Sequence, residues 1–307
     1  MRNAFAEVMT ELVEDRDDLV LLAGDIGNRL FDKFKKKAPQ NFFNCGVAEA
    51  GMTGIASGLA SVGFNPFTYT ITPFNTLRCL EQIRLDICYP NLPVTIVGTG
   101  SGLSYAGLGA THHSLEDIAC MRMLPNMNVI CPGDSVEVKL AVEAALNSKE
   151  PCYIRLGKKG EETIHLSEKP NFSIGKGITI TNGSDIAILG IGNMLGPASA
   201  VKNLCNENNI STKLISFHTI KPLDKKLLDE LFENYSLIVV VEEHGLVGGG
   251  GSAILEYAFQ AKKDITKLML FNTPDKFLTS VGTQTEARLE LGLDPDSIFS
   301  KIKQNLK

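Results

Sequence analysis

Glu49 is the only charged side chain between Ala38 and Leu77, in a stretch of small and medium-sized apolar residues. The surrounding AEAGMTGIASGLA segment predicts a helix from its alanines, although each glycine costs roughly 1 kcal/mol relative to alanine. A helix that keeps such glycines usually packs closely against another helix or another subunit. Glu49 is therefore predicted to be poorly solvated, which favours its protonated form. A carboxyl in such surroundings is suited to sharing a proton with a bound group.

A purely structural role also fits Glu49. A carboxylate near the start of a helix offsets the positive end of the helix dipole and bonds free backbone N–H groups. The residues around Glu49 fit both the proton-sharing and the helix-capping role. A second feature of the sequence is needed to distinguish the two.

A glycine-rich segment, GTGSGLSYAGLGATHH, holds five glycines before Thr111 and follows a predicted strand. Open α/β sheets bind ligands at such strand ends, and glycines allow close approach to the backbone. The segment ends in His112 and His113, with no third ligand spaced to complete a metal site. A hydrogen-bonding or proton-transfer role beside a substrate suits His112, while simple packing also fits His113.

A third cluster, GFNPFTYTITPF, contains four aromatic residues: Phe64, Phe67, Tyr69 and Phe74. Aromatic residues at strand spacing usually belong to the core. The alternative is that one of the four rings stacks on a flat heterocycle.

Short apolar runs alternate with helical patterns along the whole chain, which predicts an α/β fold with two doubly wound domains and largely parallel sheets. The predicted strands are DLVLLAGD, FNPFTYT, LPVTIVG, MNVICP, PCYIRL, DIAILGIGNM, STKLISF, SLIVVVEEH and KLMLFN. Asp134 is predicted to cap one helix and Ser114 another. The polar segment 157–177, with its Gly and Pro residues, predicts a boundary between domains at 1–165 and 166–307.

The composition excludes several classes of protein. A net charge of −5 argues against nucleic-acid binding, and no apolar run is long enough to span a membrane. The seven cysteines are dispersed and form no C-x-x-C pair, which predicts reduced thiols in a cytoplasmic protein without a disulfide framework or zinc site.

The ordered segments resemble a known family. CGVAEAGMTGIASGLASVGFNPF, EQIRLDICYPNLPVTIVG and GATHHSLEDIACMRMLPNMNVICPGD resemble the pyrimidine-binding domain of thiamine-diphosphate enzymes of the transketolase type. FHTIKPLD and EEHGLVGGGGSAILE are similar to the C-terminal domain of that family. The resemblance covers essentially the whole chain in the right order.

The resemblance implies roles for particular residues. In the family, the glutamate of the G-x-A-E segment bonds the aminopyrimidine ring of thiamine diphosphate and promotes loss of the thiazolium C2 proton, and Glu49 is the matching residue. Phe74 is the preferred stacking partner for the pyrimidine, with Phe67 and Tyr69 as weaker alternatives. Asp25, in LLAGDIG, matches a cofactor-contacting aspartate more loosely.

Two further positions match substrate-binding residues of the family. His112 corresponds to a histidine that faces the substrate. Arg155, in CYIRLG, corresponds to a basic residue that helps to hold a sugar phosphate, although an ion pair at a surface or interface fits it equally well. Leu108 stands where transketolases carry an aspartate that reads a sugar hydroxyl. An apolar side chain cannot accept that hydrogen bond, so the resemblance predicts an unusual ketose substrate.

One part of the family pattern is missing. Full-length transketolases begin with a domain whose G-D-G…N segment holds Mg²⁺ and the diphosphate, and this chain has no G-D-G. The resemblance therefore implies the C-terminal subunit of a split transketolase, which transfers a two-carbon ketol unit between sugar phosphates. A separate N-terminal subunit would supply Mg²⁺ and diphosphate binding. The expected assembly is an α2β2 heterotetramer, or a homodimer of this chain when it is isolated.

Three alternatives stay open at this point. The β subunit of a 2-oxo acid dehydrogenase E1 component has the same two domains, and a deoxyxylulose-phosphate-synthase fragment is a second relative; activity with pyruvate would separate both from a ketol transferase. The third is a regulatory or assembly subunit without catalysis, for which loss of Glu49 would be the expected sign.

Overall fold

A computed structural model describes residues 1–27, 29–166, 169–279 and 282–306. The strands are β1 Leu19–Ala23, β2 Phe42–Asn44, β3 Asn65–Ile71, β4 Thr95–Thr99, β5 Asn128–Ile130, β6 Cys152–Leu156, β7 Ile178–Thr181, β8 Ile186–Gly190, β9 Thr212–Ser216, β10 Thr219–Lys221, β11 Leu237–Gly245 and β12 Leu268–Thr273. The α-helices are α1 Arg2–Leu12, α2 Asp32–Lys37, α3 Glu49–Ser61, α4 Thr72–Asn75, α5 Leu80–Gln82, α6 Asp117–Arg122, α7 Ser135–Ser148, α8 Leu195–Glu207, α9 Lys225–Asn234, α10 Gly250–Gln260, α11 Gln284–Glu290 and α12 Pro295–Asn305.

The first sheet has seven strands in the order β10-β5-β6-β4-β3-β1-β2. All neighbours are parallel except β10 and β5. Its central strands are buried throughout and strongly apolar, as expected for a parallel sheet covered on both faces. Alternate residues of β1 belong to two separate apolar clusters, one that includes residues of α3 and one that includes residues of α1 and α7. Helices therefore cover both faces.

The second sheet has five strands in the order β12-β11-β8-β9-β7. Its pairs are parallel except for β7 with β9. The two largely parallel sheets confirm the predicted α/β fold. Segment 157–177 holds no helix or strand in its described part, and the boundary at 165/166 stays a prediction.

One strand crosses from the second unit into the first. β10 follows β9 in sequence, but it pairs with β5 and so extends the first sheet at its edge. One buried apolar cluster likewise contains residues of both units, among them Met121 and Ile254. The two units are thus joined by a shared sheet and a shared core.

The helix caps agree with the sequence in one case and differ in another. Asp134 caps α7 as predicted, because its side chain accepts bonds from the backbone N–H groups of Val136 and Glu137 at 3.0 and 2.9 Å. The prediction that Ser114 caps α6 was wrong, since α6 begins at Asp117 with Glu116 at its N-cap. Within the described part of the chain, no helix is long and apolar enough to cross a membrane.

Candidate active site

Glu49 is the first residue of α3 and is buried, with 2% of its surface exposed. The preceding residue, Ala48, offers no side-chain cap to the helix. Gly24, at the end of β1, lies against the glutamate: a Cβ on it would come within 3.4 Å of Glu49 Cγ and 3.1 Å of Thr70 Oγ1. The backbone of β1 thus approaches the carboxyl-bearing side chain closely, and a side chain at this position would crowd both neighbours. The predicted burial of Glu49 is confirmed.

The carboxylate of Glu49 has a cationic partner that the sequence analysis missed. Arg78 Nη1 donates to Glu49 Oε2 at 2.8 Å. The same guanidinium lies over the ring of Phe74, with Arg78 Cζ 4.6 Å from the ring centroid. Arg78 is the first charged residue after the uncharged stretch, and that position in the sequence could have drawn attention to it.

His112 also contacts Phe74. The two ring centroids are 5.3 Å apart and the ring planes meet at 71°, an edge-to-face arrangement. Thr111 Oγ1 and His112 Nδ1 form a hydrogen bond of 2.9 Å, and the centroid of the Tyr105 ring lies 5.9 Å from that of His112. Burial, and then the neighbouring charge of His113, lower the pKa of His112. The imidazole is consequently neutral at neutral pH.

His113 makes a different contact. It is buried, and its Nε2 lies 3.2 Å from the backbone carbonyl of Ala106 in the same loop. His113 also lines a cleft of about 380 Å³, together with Leu115, Gly245 and the 272–278 segment. Glu49, Phe74 and Arg78 do not line this cleft, so it is separate from the cluster around Glu49.

Asp25 and Leu108 lie at the surface. Asp25 follows Gly24 with a left-handed backbone (φ 52°), and its carboxylate accepts a bond of 3.0 Å from Asn44 Nδ2. Leu108 ends a short 3-10 turn and is 54% exposed, in the same loop as His112. Both positions are accessible to a ligand or a second subunit.

Phe67 does not join the cluster. Its ring is 1% exposed, and its centroid lies 6.4 Å from that of Phe5 in the core between the first sheet and α1. Tyr69 is equally buried, stacked 5.3 Å from the same Phe5 ring. A ring without a free face cannot stack on a ligand, so the prediction that placed Phe67 at the cofactor is corrected and Phe74 is the preferred aromatic residue.

Arg155 is likewise occupied. Its Nε donates to Asp117 Oδ2 at 2.7 Å, and its Nη2 donates to the carbonyls of Glu243 (2.9 Å) and Ser114 (3.1 Å). Burial opposes the charge on Arg155, but the Asp117 carboxylate outweighs it and raises the pKa. With 3% exposure and these donors engaged, Arg155 has no access to a sugar phosphate. The substrate role predicted for it is corrected to that of a buried ion pair.

Two more buried carboxylates stand on β11, in the EEHG segment. Glu243 accepts bonds from Leu103 N (2.7 Å), Asn193 Nδ2 (3.0 Å) and Gln284 Nε2 (2.8 Å) and pairs with Arg288. It therefore ties the glycine-rich loop to the second unit.

Glu242 accepts bonds from Gly250 N and Gly251 N, at 2.7 and 3.0 Å, at the N-terminus of α10. Burial raises the pKa of Glu242 to about 7, although these N–H groups act in the opposite direction. The carboxylate fills the helix N-terminus where an anion would otherwise bind.

The cluster combines a buried carboxyl, an aromatic ring and a neutral imidazole within one small region. A carboxyl out of water can hold or release a proton against an uncharged ring nitrogen, and an aromatic face can stack on that ring. Gly24 lets the backbone of β1 lie directly against the carboxyl-bearing side chain. The described residues contain no group of three or more His, Cys, Asp or Glu side chains arranged to hold a metal ion.

Known proteins match this chain over its two units. Residues 1–160 match the family model "Transketolase, pyrimidine binding domain", and residues 175–298 match "Transketolase, C-terminal domain". A putative transketolase C-terminal section of Methanocaldococcus jannaschii is 34% identical over 309 residues, covering 100% of this chain and 96% of that protein. One subunit of the apulose-4-phosphate transketolase of Phocaeicola vulgatus is 30% identical over 307 residues, covering 100% and 97%.

A longer relative and a solved structure are also similar. The 1-deoxy-D-xylulose-5-phosphate synthase of Haemophilus ducreyi is 34% identical over 271 residues, which are 88% of this chain and 42% of that enzyme. The structure described as a split gene transketolase, inactive beta4 tetramer, superposes with a TM-score of 0.90 at 31% identity, covering 99% of this chain and 97% of the other.

Proposed function

The chain belongs to the transketolase family, and from this premise we propose that it is the C-terminal subunit of a split, thiamine-diphosphate-dependent transketolase. It would transfer a two-carbon ketol unit between sugar phosphates. One observation carries the proposal: Glu49, the glutamate of the G-x-A-E segment, is buried at the start of α3 beside a partly buried aromatic ring and a neutral histidine.

The described residues fit one half of the cofactor. Glu49 supplies a buried carboxyl, Phe74 a ring face, and Gly24 a backbone without a side chain beside Glu49. When bound, thiamine diphosphate supplies the carbanion equivalent that takes up and passes on the ketol unit. Asp25 and Phe74 would contact the cofactor, and Glu49 would hold the proton that it shares with the pyrimidine ring nitrogen.

His112 would act on the substrate rather than on the cofactor. Its lowered pKa keeps the imidazole neutral, and its bond to Thr111 through Nδ1 leaves Nε2 for a substrate hydroxyl. A neutral imidazole can donate or accept one hydrogen bond without placing a charge beside the reacting carbon.

A second subunit is part of the proposal. The chain carries no G-D-G segment, so a separate N-terminal subunit would hold Mg²⁺ and the diphosphate. Relatives that this chain covers almost completely are themselves named as a C-terminal section or as one subunit of a transketolase, and a tetramer of β chains alone is described as inactive. The assembly would be an α2β2 heterotetramer in the cytoplasm, with a homodimer of this chain at its centre.

The substrate is proposed to be an unusual ketose. Leu108 is exposed in the same loop as His112 and offers no oxygen to a sugar hydroxyl. With a donor that lacks, inverts or displaces that hydroxyl, no sugar hydroxyl would face Leu108 without a hydrogen-bond partner. The Phocaeicola relative is named for apulose 4-phosphate, which supports a search among less common ketose phosphates.

Calorimetry tests the proposal directly. Thiamine diphosphate with Mg²⁺ is titrated into this chain alone and into a mixture with a co-expressed subunit that carries G-D-G…N. We expect binding only by the mixture, and a loss of at least about tenfold in affinity for the Glu49→Gln variant. Tight binding to the isolated chain would show that the diphosphate site has been misplaced, and no binding to either would favour a regulatory subunit.

A deoxyxylulose-phosphate-synthase activity is the second candidate, because such an enzyme is 34% identical to this chain. The chain spans less than half of that relative, so it would again need a partner. Consumption of pyruvate with a triose phosphate by the mixture would favour this candidate, whereas ketose-to-aldose transfer without pyruvate would favour the transketolase.

A further inference from the structure

Arg78 makes two contacts that the proposed cofactor would also need. Its guanidinium donates to the carboxylate of Glu49 at 2.8 Å and lies 4.6 Å from the ring centroid of Phe74. The guanidinium is planar, carries N–H donors and presents a flat face to an aromatic ring. In these respects it resembles a protonated aminopyrimidine bound between the same two residues.

The two occupants compete for the same space. Glu49 is 2% exposed, and the carboxylate oxygen that Arg78 occupies cannot accept a second donor from the same direction. The face of Phe74 that Arg78 covers is equally unavailable to a second flat group. A heterocycle that used both contacts could enter only after the guanidinium had left.

We propose that Arg78 is an internal placeholder, which holds Glu49 and Phe74 while no cofactor is bound and moves out when the pyrimidine ring enters. This inference rests on the proposed function, since it assumes that Glu49 and Phe74 receive the pyrimidine. It assigns to Arg78 a role in the binding step and none in the transfer of the ketol unit.

The surroundings of Arg78 allow the movement. Its side chain is 47% exposed, and within the described residues its only side-chain hydrogen bond is the one to Glu49. It lies in the short 3-10 turn Leu77–Cys79, outside the regular helices. Because the guanidinium is half exposed, water competes for its charge, and this lowers the net free energy of the pair although the Glu49 side is buried. Arg78 can therefore leave without loss of the core.

The placeholder has a function for the empty protein. Without Arg78, Glu49 would be a buried charge with no cationic partner, and a lone buried charge is unfavourable. Arg78 neutralises it and covers the Phe74 ring until the ligand takes over both tasks. Because this pair has to break before the cofactor binds, its free energy reduces the net binding free energy of the cofactor.

The test uses the assembled enzyme and two readouts other than turnover. Thiamine diphosphate with Mg²⁺ is titrated by calorimetry into wild type and Arg78→Ala, and the binding rates are followed by stopped flow. We expect Arg78→Ala to bind about fivefold more tightly, because no pair has to be broken. The gain should lie in the association rate, since only the open fraction of the wild type can bind. The dissociation rate should be unchanged.

Two control variants define the outcome. Arg84→Ala removes an exposed arginine from the helical segment Ile83–Cys88 and should leave both rates as in wild type. Arg78→Lys keeps the positive charge without the planar group and should bind with intermediate affinity. Circular dichroism and thermal unfolding check that each variant is folded.

The possible results separate this inference from the proposed function. Unchanged or weaker binding by Arg78→Ala would overturn the placeholder, and a faster dissociation rate would show that Arg78 positions the bound ring. Failure of the assembled wild type to bind thiamine diphosphate would instead overturn the proposed function. Tighter binding through a faster association rate supports the placeholder.

Discussion

Glu49 and Glu242 are both buried carboxylates beside the start of a helix, but different groups compensate their charge. Glu49 has the guanidinium of Arg78, whereas Glu242 has the backbone N–H groups of Gly250 and Gly251. A guanidinium that is half exposed can be exchanged for a ligand, while backbone groups of a helix cannot move away. The first carboxylate is thus suited to binding and the second to a fixed structural role.

Glu242 makes the stability of the protein depend on pH. Its pKa is about 7 in the folded protein and its ordinary value is 4.5, so the folded protein binds more protons between these values. The stability that Glu242 contributes is fully present below about pH 4.5 and is lost as pH rises through about 7. Glu242→Gln removes this titration. We expect its unfolding free energy relative to wild type to increase by about 2 to 3 kcal/mol between pH 5 and pH 8.

Urea unfolding of both proteins at the two pH values measures the effect. The comparison between pH values cancels the hydrogen bond that the substituted amide fails to make. Glu207→Gln, at an exposed position of α8, serves as the control and should show no such difference. A difference for Glu242→Gln that did not change with pH would contradict the prediction.

Leu108 offers a test of substrate choice. Leu108→Asp adds a carboxylate in the loop of His112 that can accept a bond from a sugar hydroxyl. A bond to a charged acceptor is worth about 1.5 to 3 kcal/mol, so kcat/KM for a common pentulose phosphate should rise at least about tenfold relative to wild type. Leu108→Ala, which adds no acceptor, should not produce this rise. An unchanged substrate preference in Leu108→Asp would count against the role given to this position.

Only part of the cluster around Glu49 could be predicted from the sequence, for physical reasons. Burial of Glu49 followed from the uncharged stretch around it, and the region of His112 from the glycine-rich loop. Arg78 lies 29 residues from Glu49 along the chain, and only the fold brings the two together. Phe67 and Arg155 look like ligand-binding residues in the sequence, but they are occupied by Phe5 and Asp117, which are distant in sequence.

At the scale of elements, α3 is notable for three glycines on its exposed face. Gly51, Gly54 and Gly58 have nothing within 4 Å of the position that a Cβ would take, and Ile55 is 51% exposed on the same helix. Such a face suits close contact with another subunit, and the carboxyl-bearing residue Glu49 lies at its start. Assembly and cofactor binding are therefore expected to involve the same helix.

Gly54→Leu tests this expectation. Leucine favours a helix over glycine by up to about 1 kcal/mol, so the isolated subunit should be as stable as wild type or more so. The leucine side chain would block close contact of α3 with another subunit, so the oligomer that the wild type forms should be lost. Light scattering after size-exclusion chromatography measures the assembly, and urea unfolding the stability. Asn203→Leu, at an exposed position of α8, should leave assembly unchanged; loss of assembly in both variants would contradict a role for α3.

The long elements could be predicted, whereas most of the short ones could not; β5, with three residues, is an exception because it lies in the apolar run MNVICP. Strongly apolar strands such as β1, β4 and β11 and amphipathic helices such as α7 carry enough residues for a periodic pattern. β2 and β10 have three residues each and β7 has four, so no pattern can develop. Their pairing depends on the edges of sheets that are completed elsewhere in the chain.

At the scale of the molecule, the buried network around Arg155 joins the two units. Arg155 pairs with Asp117 in the first unit and donates to the backbone of Glu243 in the second. Removing one partner of a buried ion pair leaves an uncompensated charge and costs about 3 to 5 kcal/mol. Arg155→Met should therefore lower the unfolding free energy by about this amount.

A second variant separates this effect from a role in substrate binding. Asp117→Asn combined with Arg155→Met removes both charges and should recover most of the lost stability. Urea unfolding measures both variants. Normal stability of Arg155→Met together with weaker binding of sugar phosphates would restore the substrate role that the structure argues against.

The crossing of β10 from the second unit to the edge of the first sheet has a consequence for synthesis of the chain on the ribosome. β5 is made long before β10, and until β10 arrives β5 is the open edge of the first sheet. An open edge is a template for pairing with other chains. Nascent chains arrested before Thr219 should be cleaved by protease near β5, and those arrested well beyond Lys221 should resist. The first sheet is thus completed only after part of the second unit has left the ribosome.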